Sequence, residues 1–154
     1  MEFSIQMQAL GSEVDTLLRE MCGFLPDGRE DMRDYAPIII RDYPDIVNQG
    51  VAIVGKGITI TPFEAWDRSK PKEQSFNWWR SYNDVKHSRV VNYKNASLKS
   101  CLYSLAGLFT LERYWLRKIT TSSQIDDTPS RDSGVFRLQN WKLRFVPAVL
   151  KFMD

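Results

Sequence analysis

The sequence predicts a mainly α-helical bundle carrying one small β-hairpin. Three observations point there. Near the start, Leu10, Val14, Leu17, Leu18 and Met21 recur with helical spacing, the pattern of one buried helix face. A longer stripe of the same kind, through Leu98, Cys101, Leu102, Leu105, Leu108, Phe109, Tyr114 and Trp115, extends as far as Lys118. Between them, the β-rich runs 51–54 and 58–61 flank Gly55-Lys56-Gly57, which reads as a hairpin. A chain of 154 residues with 43% apolar and 26% charged residues fits one globular domain with a sizeable core. The bundle is expected over about residues 5–118, followed by a polar loop at 120–133 and a C-terminal extension at 134–154.

Taken in order, the first helix covers residues 5–22, and Gly11 within it lets a neighbouring element approach closely. It starts with no preceding cap, so an N-terminal part outside this sequence is conceivable. Gly23 and Pro26-Asp27-Gly28 supply its stop. A second helical region is expected to begin near Arg29 and to break before Pro37, because proline restricts Ala36 and removes a donor. Short helical pieces around Pro44, with Ile38, Ile39, Ile40 and Ile46 as apolar contacts, lead to the hairpin. A lone hairpin is marginally stable, so this one should lie against the helices. Its sequence, from Gly50 to Gly57, nearly spells a phosphate loop. The residue after Lys56 is Gly57 where a Ser or Thr is needed for the metal, and the following run is strand-like, so the nucleotide-loop reading is set aside. Phe63 and Trp66 are expected to anchor the next connection to the core. Ser75 is read as the N-cap of a central helix over 76–91, and Asn95 or Ser97 as the cap of the long helix, antiparallel to the central one. In the extension, Val135 and Leu138 suit a strand, while the rest alternates irregularly before Pro147.

Several function classes are set aside by composition. A net charge of +2 announces no general nucleic-acid binder, so any basic footprint is local. Cys22 and Cys101 sit in apolar helical patterns, far from metal-ligand spacing, and read as reduced core residues. No cofactor and no metal is expected. There is no signal peptide at the N-terminus and no run of membrane-spanning length, so a cytoplasmic protein with no membrane partner is expected.

Chemistry concentrates in the central helix. At about 100° per residue, Arg80, Asn83, Asp84 and His87 share an arc of about 100°, opposite Trp78, Tyr82 and Val85. Histidine is the side-chain type that ordinarily exchanges a proton near neutrality, so His87, the single one, is the natural general acid or base. Arg80 lies two turns earlier and carries a permanent charge that suits phosphate. Asn83, one turn from His87, is placed to position the imidazole or to donate to a phosphate oxygen. Lys86, Arg89, Lys94 and Lys99 add a local basic patch against Asp84. A base with fixed cations suits RNA cleavage, in which the 2′-hydroxyl is an internal nucleophile and the phosphorane charge needs stabilising. One histidine cannot readily act as base and acid at once. A symmetric dimer would bring two copies of His87 and Arg80 to one cleft.

Arg80 and His87, with six residues between them, fit the Arg-x4–6-His signature of the HEPN superfamily (higher eukaryotes and prokaryotes nucleotide-binding). The wider run resembles a bacterial HEPN subgroup with a Tyr-Asn-x-Val-Lys-His-x-Arg core: Thr61-Pro62-Phe63-Glu64-Ala65-Trp66, then residues 78–89, then Asn92-Tyr93-Lys94-Asn95-Ala96-Ser97-Leu98. Leu10-Gly11-Ser12-Glu13-Val14-Asp15 is similar to the first bundle helix of that subgroup, and the likeness spans about residues 8–116. The resemblance implies a helical bundle that dimerises and a metal-independent endoribonuclease of a toxin–antitoxin or antiphage system. In that reading, Arg80 and His87 of both protomers line the cleft with Asn83 assisting, Lys86, Arg89 and Lys94 contact RNA, and an antitoxin or defence partner is possible. Two positions depart from the pattern. Ser81 follows the arginine, and Val90 stands where the type paired with a nucleotidyltransferase carries a tyrosine. Because some HEPN domains are inactive, the alternative is a non-catalytic scaffold or a nucleotide- or partner-binding module.

Overall fold

Helix α1 (Glu2–Cys22) and helix α5 (Leu98–Ser122) share the most extensive interface of the fold. They run parallel: Cys101 Sγ lies 3.5 Å from Phe3 O, and Ser104 Oγ lies 3.5 Å from Met7 Sδ. Helix α3 (Asn77–His87) packs against both and is antiparallel to both. Gln8 donates to Val85 O at 3.5 Å, Tyr82 covers Gly11, Trp78 lies over Gly107, and Ser81 Oγ is 3.3 Å from Ser100 Oγ. The computed structural model describes residues 2–66, 76–92, 94, 96–122 and 133–141.

Gly11 is where the close approach becomes necessary. A β-carbon there would sit 2.1 Å from Tyr82 Cδ2, so the ring occupies the space a side chain would need. Around this contact, Met7, Val14, Leu18, Trp78, Trp79, Tyr82, Val85 and Leu111 form the centre of the main core. The anchoring expected of Phe63 and Trp66 is present. Both are buried and stacked on each other at 4.8 Å, and the Trp78 indole N–H donates to Pro62 O at 2.9 Å.

Helix α2 (Met32–Asp42) corrects the second element of the sequence reading. It starts at Met32 rather than near Arg29, because Asp31 closes a capping box: its carboxylate accepts from Arg33 N at 2.8 Å, and Asp34 accepts from Asp31 N at 2.9 Å. It then runs through Pro37 instead of breaking before it. Tyr35, Ala36, Ile39 and Ile40 bury on both sides of the proline, which offsets its cost. The acceptor deprived of a bond belongs to Arg33, an exposed position where water can reach it. A 3₁₀ turn, Pro44–Asn48, follows.

The hairpin forms as expected from β1 (Val51–Ile53) and β2 (Ile58–Ile60), with positive φ at Gly55 and Gly57 in the turn. A third strand, β3 (Phe136–Leu138), pairs antiparallel with β1, giving the order β2-β1-β3 with Val51 between Ile60 and Leu138. This sheet lies on the helices: Val51, Ile60, Phe136 and Leu138 close over Ala106 of α5. The near-phosphate loop is therefore a strand–turn–strand.

The central helix is shorter than its sequence suggests. Its N-cap is Phe76, which makes no side-chain cap bond, and Ser75 lies outside the described residues. It stops at His87, where Ser88 (φ −153°, ψ 78°) leaves helical geometry before the single turn α4 (Arg89–Asn92). The Asn92 side-chain amide donates to Asp84 O at 2.9 Å, a second bond to a carbonyl that already accepts from Ser88 N at 3.1 Å. At the next helix, Ser97 is the cap, its hydroxyl accepting from Ser100 N at 3.1 Å, and Asn95 lies outside the described residues. Helix α5 continues past Lys118 to Ser122, so residues 120–122 extend it rather than opening a loop, and residues 123–132 and 142–154 lie outside the described residues. Leu98 and Leu105 do not join the buried stripe; they are 57% and 38% exposed. Cys101 is buried and Cys22 half-buried, with no disulfide between them, and burial pushes the Cys22 thiol up to about 12. No described helix is long and apolar enough to cross a membrane.

Candidate functional site

Helix α3 has a packed side and an open side. Trp78, Tyr82 and Val85 are buried, as the helical wheel anticipates, and Trp79 joins them, its ring tilted against Tyr82 with centroids 4.8 Å apart. On the open side Arg80 and His87 are exposed and Asn83 half-buried. Among the described residues, no side-chain hydrogen bond or ion pair engages any of the three.

Beside that open face runs a groove of about 730 Å³ between α3, the second half of α1 and the connection 24–31. Trp79, Asn83, Lys86 and His87 line it from α3. Arg80 does not. The helical wheel groups Arg80 with His87 correctly by azimuth, but the groove is centred on the side of Trp79 and Lys86, leaving Arg80 beyond its edge. Of the residues expected to contact RNA, Lys86 is in the groove with its ammonium 5.4 Å from the Tyr82 ring centre. Lys94 is exposed outside it, and the side chain of Arg89 lies outside the described residues. The described structure thus brings together Asn83, Lys86 and His87 and leaves Arg80 apart.

The opposite wall holds residues to which no periodic sequence signal points. Arg19 is nearly buried and reaches Glu30, Asp15 (3.7 Å) and the carbonyls of Leu25 and Glu30 (both 3.3 Å). The Tyr35 hydroxyl donates to Asp15 and lies 3.1 Å from both that carboxylate and Glu30 O. Burial, with the neighbouring Asp15 carboxylate, pushes this phenol's pKa up, so it remains a donor at all ordinary pH. Asp31 is satisfied by Arg33 at 2.7 Å, and that hydrogen bond holds its carboxyl below the usual range. The wall's charges are therefore engaged with one another, Arg19 between two carboxylates and Arg33 with one. Groove residues with no such pairing among the described residues are Glu20, Arg29, Lys86 and His87. Such a combination of a titratable base, fixed cations and an amide at an open surface can hold an anion and move a proton beside it. No three His, Cys, Asp or Glu side chains among the described residues converge in a metal-ligand arrangement. No protein-family model, curated protein or solved structure matches the chain.

Proposed function

We propose that this chain is a metal-independent endoribonuclease of HEPN type that works as a homodimer and cuts RNA by attack of its own 2′-hydroxyl. What supports this is the set Arg80, Asn83 and His87, left unengaged on one side of α3 beside an open groove, within the longer run that resembles HEPN. In the proposed reaction His87 of one protomer takes the 2′-proton, and His87 of the second protonates the departing 5′-oxygen. Arg80 stabilises the charge of the phosphorane, and Asn83 orients the imidazole. Lys86, Arg89 and Lys94 hold flanking phosphates. We assign the enzyme to the cytoplasm and to a toxin or defence system, with an antitoxin or defence partner.

Incubation with RNA and a chelator tests this. The wild type should cleave, and His87→Ala and Arg80→Ala should each lose at least about a hundredfold in rate. Equal cleavage by all three proteins, or by none, overturns the reading. A second reading, a non-catalytic module that binds a nucleotide or a partner protein, is favoured by the separation of Arg80 from the groove that holds His87. It predicts RNA or nucleotide bound and recovered intact, or not bound.

A further inference from the structure

We infer that the groove is a single-strand RNA track whose far end is a second phosphate-binding position built on Arg29, a residue outside the Arg80–His87 motif. The inference rests on the ribonuclease reading for the identity of its ligand. The antiparallel register of α1 and α3, fixed by Gln8 beside Val85 and Gly11 beneath Tyr82, sets His87 level with the first turns of α1. Arg19 lies near the other end of α1, about 20 Å away at a 1.5 Å rise per residue. Its bonds to Glu30 and Leu25 O hold the connection 24–31 at that level, and Arg29 sits within the connection. Yet His87 and Arg29 line one continuous groove. A strand advancing at least about 3.4 Å per nucleotide covers that span in six nucleotides or fewer.

The cations along the track that no carboxylate of the described fold engages stand at its two ends. Four carboxylates line the groove, which would repel RNA if all were free. Asp31 is matched by Arg33, whereas Asp15 and Glu30 share the single charge of Arg19 and keep one negative charge between them. What remains for a ligand is Lys86 and His87 at one end, and Arg29 against Glu20 at the other. Asn83 lies between them, a polar contact suited to a base edge. Arg29 is exposed and makes no ion pair among the described residues, so its guanidinium is available for a phosphate.

The experiment compares binding of 2′-O-methyl RNA, which cannot be cut, as a hexanucleotide and as a dinucleotide, by fluorescence anisotropy. The wild type should bind the hexanucleotide at least about tenfold more tightly. Arg29→Ala should remove most of that difference, leave the dinucleotide unchanged, and lower the salt slope of hexanucleotide binding by about 0.7. Arg29→Lys should restore much of it, and Glu20→Gln should tighten the hexanucleotide complex. A hexanucleotide bound by Arg29→Ala with wild-type affinity and salt slope overturns the inference, as does a wild type that binds neither oligonucleotide. Cleavage of long RNA by the wild type and by His87→Ala reports the enzymatic reading separately. RNA held through Arg29 but never cut removes the enzyme and leaves the track. RNA cut through His87 with no dependence on Arg29 does the reverse.

Discussion

Arg19 and Arg29 stand ten residues apart and face the same groove, and they are employed in opposite ways. Arg19 is nearly buried, with two carboxylates and two carbonyls around it, and its charge is consumed in holding the connection 24–31 to α1. Arg29 is exposed and carries no such pairing. The same division runs through α3, where Trp78, Trp79, Tyr82 and Val85 are committed to the core and Arg80, Asn83 and His87 to nothing within the described fold. Residue type does not separate a structural group from an available one; prior engagement by neighbours does. Substitutions on the two sides should therefore differ sharply in their effect on stability.

The largest effect belongs to the packed side. Gly11→Ala places a methyl group 2.1–2.5 Å from three atoms of the Tyr82 ring, which is itself buried and cannot swing aside without disturbing Trp79. Overpacking of this kind should cost about 3 kcal/mol, or roughly 10 °C in melting temperature for a domain of this size. The contact also makes the change non-additive. Combined with Tyr82→Ala, the methyl group meets a cavity instead of a ring, so Gly11→Ala should cost far less in that background. Chemical denaturation of the four proteins of this cycle measures the coupling. Simple additivity would mean that the two helices are held apart by something other than this pair.

A smaller loss is expected at the groove wall. Arg19→Ala leaves Asp15 and Glu30 facing each other with no cation between them and frees two carbonyls. Removing one partner from a fully buried pair costs about 3–5 kcal/mol. Here both carboxylates remain about a quarter exposed, so solvent screening reduces the expected loss to about 2 kcal/mol. The measured quantity is again the denaturation midpoint. Because the connection 24–31 is pinned by Arg19, faster amide exchange in that segment should accompany the loss.

The contrast also separates what a sequence reader can see from what remains hidden. Gly11 is legible because a glycine in a good helix has few explanations besides close approach. The buried side of α3 is legible because period 3.6 fixes relative azimuth. That periodicity does not reveal which azimuth a neighbour will cover, so Arg80 and His87 share an arc and yet fall on opposite sides of the groove edge. Pro37 is misleading because tertiary burial of Tyr35, Ala36, Ile39 and Ile40 outweighs a local rule. The stop at Ser88 has no glycine or proline to announce it and depends partly on Asn92 reaching back to Asp84. Strand β3 is three residues long and meets Val51 across most of the chain, a pairing that no local pattern encodes. Arg29 has no periodicity to place it. It reaches the groove because Glu30 beside it is held by Arg19, a contact that only the fold creates.

The smallest effect is expected where the proposed chemistry is. Arg80→Ala and His87→Ala remove side chains that are exposed and engage nothing among the described residues, so each should shift stability by no more than about 0.5 kcal/mol. His87 stands in the last turn of α3, where the open carbonyls favour a cation; its neighbour Lys86 supplies one in any case, which limits what the histidine can contribute. Unfolding curves of these two variants superimposable on the wild type would make any loss of RNA cleavage attributable to chemistry rather than folding. A loss of 2 kcal/mol or more for His87→Ala would instead place it among the committed residues, alongside Arg19, and would remove the ground on which a role in catalysis stands.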